Sequence, residues 1–330
     1  MKMLFPLVAV MTLILVVAAG VQFANLEFLF GVIIPYAALA TFAAGIIFRV
    51  LKWAGSPVPF CIPTTCGQGK SLPWIKQNKL ENPSSVPWVI GRMALEVFLF
   101  RSLFRNIKTE MREGSKVFYS SDKWLWLSGL AFHWSFLIIL LRHFRFFSVN
   151  VPFPIRVLES LDSFFQIGAP LLYFTDVVIL VAVTYLFIRR IADPQIKYIS
   201  LAADYFPLLL IIGIAGTGVL MRYFTRIDVV GVKQLAMGLI SVSPVIPKGI
   251  GVMFYIHLFL ISVLFAYFPF SKLSHMAGVF LSPTRNMANN SRMARHINPW
   301  NYPVHVHTYE EYENDFREKM KMAEIPVEKD

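Results

Sequence analysis

Charged side chains are scarce in this chain. Asp, Glu, Lys and Arg make up 15% of its 330 residues, whereas hydrophobic residues make up 56%, and a soluble domain has about a quarter of its residues charged. This composition excludes an ordinary water-soluble fold of this length. Acidic residues are the scarcer sign, which leaves a net charge of +11. In so apolar a chain, an excess of Lys and Arg is typical of cytoplasmic loops of a membrane protein, so we expect no nucleic-acid partner.

Cysteine is almost absent from the sequence. Cys61 and Cys66, spaced C-x4-C, are the two present. Two thiols are too few to hold an iron–sulfur cluster, which takes about four ligands, and the chain lacks the C-x-x-C-H motif that attaches heme covalently. Because a reducing cytoplasm disfavours disulfides, we predict ordinary reduced thiols at a partner interface. A redox or shared-cluster role is the alternative.

Long apolar stretches dominate the rest of the sequence. A hydrocarbon core about 30 Å thick needs about 20 helical residues to cross it. The first stretch has a longer apolar core than a secretory signal, so we interpret it as a retained helix. The predicted fold is all-α, an integral membrane bundle of six transmembrane helices over 1–281, with a loop at about 52–123 and a tail at 282–330. The six predicted spans are 4–22, 28–51, 124–147, 166–189, 204–224 and 250–270.

The distribution of basic residues predicts the orientation of the bundle. Lys and Arg collect in the loops on the cytoplasmic side of a membrane protein. If both termini are cytoplasmic, 24 of the 31 Lys and Arg residues lie inside and seven lie outside. The sequence therefore predicts cytoplasmic termini, with the loop and the tail on the same side of the membrane.

Four histidines lie in or at the ends of the third and sixth spans. His133 and His143 are ten residues apart, and His257 and His275 are eighteen apart. An ionisable group inside a membrane often marks a functional site, and a neutral imidazole is a good ligand for iron. Because the two spans cross in opposite directions, His133 should pair with His275 and His143 with His257. The pattern predicts two noncovalent hemes, each held by one such pair.

The two histidine spacings differ in length along a helix. Ten helical residues rise ~15 Å, whereas eighteen rise ~27 Å, so a straight sixth span would not let both pairs close. Pro269 lies between His257 and His275, and a proline kinks or breaks a helix. We expect a bend there that brings His275 within reach of His133.

The histidine spacings resemble those of the gamma-subunit family of respiratory nitrate reductase, and GIAGTGVLMRYFTRID in the fifth span is also similar to that family. The resemblance covers residues 28–281. Three features differ: an extra first helix, the loop stretch PFCIPTTCGQGKSLPWIKQNKLENP and the tail stretch HINPWNYPVHVHTYEEYE. These resemble instead the cytochrome b subunits of membrane complexes associated with dissimilatory sulfite reduction. Related heterodisulfide-reductase cytochromes b share the histidine pattern.

The resemblance implies the electron-transfer subunit of a quinone-linked oxidoreductase complex in the cytoplasmic membrane of a prokaryote. Such subunits exchange electrons between a quinone, usually menaquinone, and a cytoplasmic iron–sulfur partner similar to the catalytic subunit of heterodisulfide reductase. Other membrane and periplasmic subunits complete the complex. The resemblance also implies a quinone site near the outer heme and matches the axial ligands of two b hemes to His133, His143, His257 and His275.

Four charged residues near the outer ends of the spans are candidates for roles in such a protein. Asp176 is a candidate proton acceptor for quinol, with an interfacial or helix-packing carboxylate as the alternative. Arg142, Arg145 and Arg222 are candidates to pair with heme propionates, since arginine suits carboxylates. The alternative for these arginines is to extend to lipid headgroups.

Two other functions stay open on the sequence alone. One is a transporter or channel in which buried histidines form a proton relay. The other is a heme-free membrane anchor for a soluble redox subunit. The tail histidines His296, His305 and His307 are predicted to be ordinary surface residues.

Overall fold

The computed structural model describes residues 2–56, 76–112, 116–289 and 305–328. Cys61, Cys66 and most of the distinctive loop stretch lie outside the described residues, as does His296.

Six long helices form the bundle, and we label them α1 to α6. Five of them are long and apolar enough to cross a membrane. The prediction of an all-α membrane helical bundle is confirmed, and the chain is a multi-pass membrane protein. The helices are α1 Leu4–Ala24, α2 Leu29–Ala54, α3 Lys123–Phe147, α4 Phe174–Ala192, α5 Ala202–Thr225 and α6 Val252–Phe270.

The fourth helix differs from its prediction. The predicted span 166–189 begins too early, because Gly168 takes a left-handed φ of +78° and the segment before Phe174 forms turns. A backbone in that region ends a regular helix. α4 has 19 residues and carries Asp176 near its start and Arg189 and Arg190 near its end. Because of these charges, α4 is not among the five helices that are apolar enough to cross a membrane. The count of six spans and the cytoplasmic position of both termini therefore stay predictions.

Ion pairs hold α3 and α4 antiparallel at both ends. Asp122, just before α3, lies 2.5 Å from Arg189 at the end of α4. At the opposite end, Arg142 of α3 lies 2.6 Å from Asp176 at the start of α4. The two helices also pack along their length. These ion pairs set the position of α3, which carries His133 and His143, relative to α4.

The apolar core lies between α1, α2, α5, α6 and the shorter helix Val229–Ile240. The backbone of α2 packs closely against α6 at Gly45, where a built Cβ would lie 2.7 Å from the ring of Pro269. Most side chains on the outer faces of the helices are exposed and apolar, as expected for a protein surrounded by lipid. The buried core residues are Val10, Val17, Val21, Phe30, Val32, Leu209, Leu210, Met221, Val232, Leu235, Ile250, Phe254, Tyr255, Ile256 and Leu260.

Shorter elements connect the long helices. The loop between α2 and α3 contains an antiparallel hairpin, strands β1 Ile107–Arg112 and β2 Lys116–Ser121, which the sequence analysis did not predict. The shorter helices are Val86–Leu99, Arg101–Phe104, Phe153–Asp162, Pro194–Ile199, Val229–Ile240, His275–Gly278, Pro283–Asn286 and Tyr309–Met322.

Contacts tie the loop to the start of the tail. Arg285 donates to Glu96 at 2.9 Å, and the backbone N–H of Asn289 donates to the carbonyl of Pro83 at 2.6 Å. The division into a membrane domain and a tail at residues 281 and 282 stays a prediction, but these contacts place the first residues of the tail against the loop.

Candidate functional site

The structure brings the four membrane histidines together in two pairs. The ring centroids of His133 and His275 lie 6.0 Å apart, and those of His143 and His257 lie 6.5 Å apart. One iron between two imidazoles separates the ring centroids by about 6.4 Å, since each metal–nitrogen bond is about 2.0 Å and each centroid lies roughly 1.2 Å beyond its nitrogen. The ring centroids of each pair therefore lie at about the distance that one shared iron would need.

In all four histidines, the ring atom that makes a hydrogen bond is Nδ1. The Nδ1 atom of His257 lies 2.8 Å from the hydroxyl of Thr217. In the other three histidines, Nδ1 lies 2.7–2.8 Å from a backbone carbonyl three or four residues earlier. A carbonyl only accepts, so Nδ1 carries the proton and Nε2 is left as the possible metal ligand, as is usual for metal-binding histidines. The three carbonyls are those of Gly129, Ile139 and Lys272.

A break in α6 places His275 opposite His133. The α-helical part ends at Tyr267 and is followed by short 3-10 turns at Phe268–Phe270 and Lys272–Ser274. Pro269 is in the first of these turns, at the position where the sequence predicts a bend. Because the eighteen residues do not form a straight helix, His257 and His275 can each lie opposite a histidine of α3.

A buried arginine organises the end of the bundle that carries His143. Arg142 is 6% exposed. Its Nη2 donates to Asp176 Oδ1 at 2.6 Å, and its Nε lies 3.2 Å from Asp162 Oδ2. The hydroxyl of Tyr223 donates to the other Asp176 oxygen at 2.9 Å. Asp176 is thus held on both oxygens, inside a network of one arginine, two carboxylates and a tyrosine.

The second candidate arginine is close to the first. The guanidinium carbons of Arg142 and Arg222 lie 3.7 and 4.0 Å from the ring centroid of Tyr173. Arg222 also donates to the carbonyl of Leu171 at 3.0 Å. Arg142 Nη1 and Arg222 Nε are buried and have no hydrogen-bond partner among the described residues. Unpaired guanidinium donors beside a histidine pair fit the carboxylates of a heme, since arginine binds carboxylates readily.

Two cavities lie at opposite ends of the bundle. One, of about 370 Å³, is mostly apolar and is bordered by Asp162, Phe165 and Phe174. The other, of about 530 Å³, is bordered by Arg49 and His275. Arg49 donates weakly to Ser271 and Ser274 at 3.4 Å, and its buried Nε has no partner within the described part of the chain. Arg49 thus lies beside His275, and Arg142 is the neighbour of His143 in the sequence.

The loop reaches the His133–His275 pair directly. The ring of Phe100 contacts that of His133 edge-on, with 4.9 Å between centroids. Nearby, Glu81 accepts hydrogen bonds from Arg101 and Arg105. Partial burial alone would raise the pKa of Glu81, but the hydrogen bond and charge of Arg101 outweigh it and hold that pKa below its usual range. Glu81 therefore stays ionised, and the ion pairs hold the loop in shape around the pair.

The tail holds a group of possible metal ligands. Ligand atoms of His305, His307 and Glu311 lie within 4.8 Å of one another, and all three side chains are exposed. Glu311 is already engaged, because its carboxylate accepts from the N–H of Thr308 at the start of the helix Tyr309–Met322. This reciprocal capping is a common way to begin a helix and accounts for the carboxylate without a metal.

Several residues of the site were not predicted from the sequence, among them Thr217 and Asp162. Thr217 contacts His257, and Asp162 contacts Arg142. A hydroxyl between Gly216 and Gly218 in an apolar span was a visible signal for the first. Asp162 had no comparable signal, because it lies outside the predicted spans and its partner is on another helix.

The fold and the histidine pairs define a class: polytopic helical bundles with paired histidines between antiparallel membrane helices. More particularly, the chain belongs to the nitrate reductase gamma subunit family, whose model matches residues 84–295. It is 42% identical over 279 residues to a protein of Archaeoglobus fulgidus named Hdr-like menaquinol oxidoreductase cytochrome b-like subunit, covering 82% of this chain and 83% of that protein. A protein of the same name from Archaeoglobus profundus is 40% identical over 274 residues, covering 81% of each chain. The family resemblance stated from the sequence is confirmed.

Proposed function

We propose that this chain is a diheme membrane cytochrome b, the electron-transfer subunit of a quinone-linked oxidoreductase. The observation that carries the proposal is the closure of two histidine pairs, His133 with His275 and His143 with His257, at the spacing of a shared iron. When bound, b heme supplies one-electron redox chemistry. Two histidines would hold each heme, so each site would serve electron transfer and not substrate binding.

The names of the relatives support the kind of quinone and the kind of complex. Both are named as cytochrome b-like subunits of Hdr-like menaquinol oxidoreductases. We carry over menaquinol or menaquinone as the quinone, and a cytoplasmic iron–sulfur subunit similar to heterodisulfide reductase as the partner. The loop and tail resemblances point to dissimilatory sulfur metabolism and to the cytoplasmic membrane of a prokaryote.

The partner would dock on the loop and the tail. Phe100 of the loop touches the ring of His133, and Arg285 at the start of the tail bonds to Glu96 of the loop. Electron transfer to a soluble subunit needs a short path from the membrane. A partner seated on these segments would lie beside the His133–His275 pair, which the positive-inside rule puts on the cytoplasmic side.

The quinone would react at the opposite end, near His143 and His257. Oxidation of a quinol releases protons, and Asp176 is the proposed acceptor. Its support is its place beside the His143 end of α3 and its hydrogen bond from the Tyr223 hydroxyl, which offers a polar path out of the network. Its ion pair with Arg142 also supports a helix-packing role.

Histidine variants test the heme assignment. His133→Ala and His275→Ala should each remove one and the same heme, and His143→Ala and His257→Ala should each remove the other. The measurement is the low-temperature reduced-minus-oxidised spectrum of the purified chain, in which the two hemes are resolved. His305→Ala, which removes an exposed tail histidine, is the control and should retain both hemes. If the two members of a pair lose different hemes, the proposed pairing is wrong.

A further inference from the structure

Thr217 and His257 meet across the interface of α5 and α6. The Thr217 hydroxyl lies 2.8 Å from His257 Nδ1, and each residue is 8% exposed. The same hydroxyl lies 2.8 Å from the carbonyl of Gly213, one turn earlier in α5. Gly218 lies beside the same ring, since a Cβ built there would be 3.4 Å from His257 Cε1. The imidazole is thus confined between a hydroxyl and bare backbone.

The direction of these hydrogen bonds follows once His257 Nε2 is assigned to the metal. Nδ1 then carries the proton, and the Thr217 oxygen accepts it, because a threonine hydroxyl has one hydrogen and can also accept. The hydrogen of Thr217 goes to a backbone carbonyl of α5, that of Gly213 at 2.8 Å or that of Ile214 at 3.0 Å. A chain of two hydrogen bonds then runs from the imidazole through the hydroxyl to the backbone of α5.

His257 differs in this respect from the other three membrane histidines. His133, His143 and His275 direct Nδ1 to a backbone carbonyl close by in their own chain segment. No side-chain substitution removes such an acceptor. His257 Nδ1 instead meets a side chain, forty residues away in the sequence and on another helix, and the Ile214 carbonyl of that helix also interacts with the ring. That side chain can therefore be altered without touching any proposed ligand.

We propose that Thr217 is the positioning residue for His257, and that its hydroxyl tunes the heme held by His143 and His257. The inference rests on the proposed function. A hydrogen-bond acceptor on Nδ1–H holds the ring orientation and makes the imidazole a stronger ligand, which favours ferric iron. Loss of the acceptor should therefore move the midpoint potential of that heme to a more positive value. Loss of such a partner typically also weakens binding of the metal group by roughly 10–100-fold.

Thr217→Val tests the proposal, because valine keeps the shape and removes the hydroxyl. The full-length chain is purified in detergent with its hemes, and the two midpoint potentials are measured by optical redox titration. We expect one potential to become more positive and the other to stay unchanged. The affected heme should be the one that His257→Ala removes. It should also pass to an apo-heme-protein scavenger faster than in the parent chain.

Two further variants complete the experiment. Thr217→Ser keeps the hydroxyl and should retain both parental potentials. Ser262→Ala removes a buried hydroxyl of α6 that donates to the Leu258 carbonyl of the same helix, and should shift neither. If the valine variant holds one heme only, the serine variant decides: two hemes with parental potentials support the proposal.

Two results would overturn the inference. One is a Thr217→Val protein with both potentials and both heme-loss rates unchanged. The other is a Thr217→Ser protein as perturbed as the valine variant, since packing of the methyl group and not the hydroxyl would then matter. Retention of both hemes in His257→Ala would instead refute the ligand assignment itself, which separates failure of the proposed function from failure of this inference.

Discussion

Replacing Arg142 should strongly destabilise the bundle. Its guanidinium is buried and contacts the carboxylates of both Asp162 and Asp176. Arg142→Gln leaves these two acidic groups without their shared counter-charge. Removing one partner of a buried ion pair costs about 3–5 kcal/mol. At about 2–4 °C per kcal/mol for a medium-sized domain, the melting temperature should fall by roughly 6–20 °C.

The assay is the fraction of monodisperse protein in size-exclusion chromatography after heating the detergent-solubilised chain. Arg145→Gln is the matched control, because Arg145 is three residues away and pairs with Glu159 at 3.0 Å with its side chain 38% exposed. Such an exposed pair contributes at most about 1 kcal/mol. If the two variants lose the same small amount of stability, the ion pairs of Arg142 do not hold α3 to α4.

Two further predictions concern electron and partner exchange. Asp176→Asn should slow heme reduction by a menaquinol analogue while both heme spectra stay intact. The control is Asp162→Asn, which alters the same ion-pair network away from Tyr223 and should slow the reduction less. Normal kinetics in the Asp176 variant would eliminate Asp176 as the proton acceptor. Arg285→Ala should lower retention of the iron–sulfur partner during copurification, because the tail loses its ion pair with Glu96 of the loop. Arg317→Ala, within the tail helix, should not lower it, and equal retention in both variants would argue against docking at this junction.

The long helices were predictable because hydropathy alone determines which segments enter a membrane. Five of the six predicted spans lie within a few residues of the observed helices. The start of α4 was not predictable in this way. The residues just before α4 are largely apolar, so hydropathy does not separate them from the helix. The turn at Gly168 depends on backbone conformation instead.

The histidine juxtapositions followed from topology, because antiparallel helices leave one pairing at matched depths. The contacts of Thr217 and Asp162 depend on something else, the rotation of each helix about its axis. Several rotations bury an almost wholly apolar helix equally well, so its polar contacts are set by packing against neighbours. The hairpin of β1 and β2 was missed for a related reason, since its strands carry little of the apolar alternation that signals a strand.

The number of hemes bound to the purified full-length chain tests the central claim most directly. Heme extracted with acid acetone and measured as its pyridine complex should amount to two b hemes per chain, all of it noncovalent because the sequence has no C-x-x-C-H motif. A preparation that is well folded, retains quinone-linked electron transfer to its partner and contains no heme would contradict the account, and a value of one heme per chain would contradict the assignment of both histidine pairs.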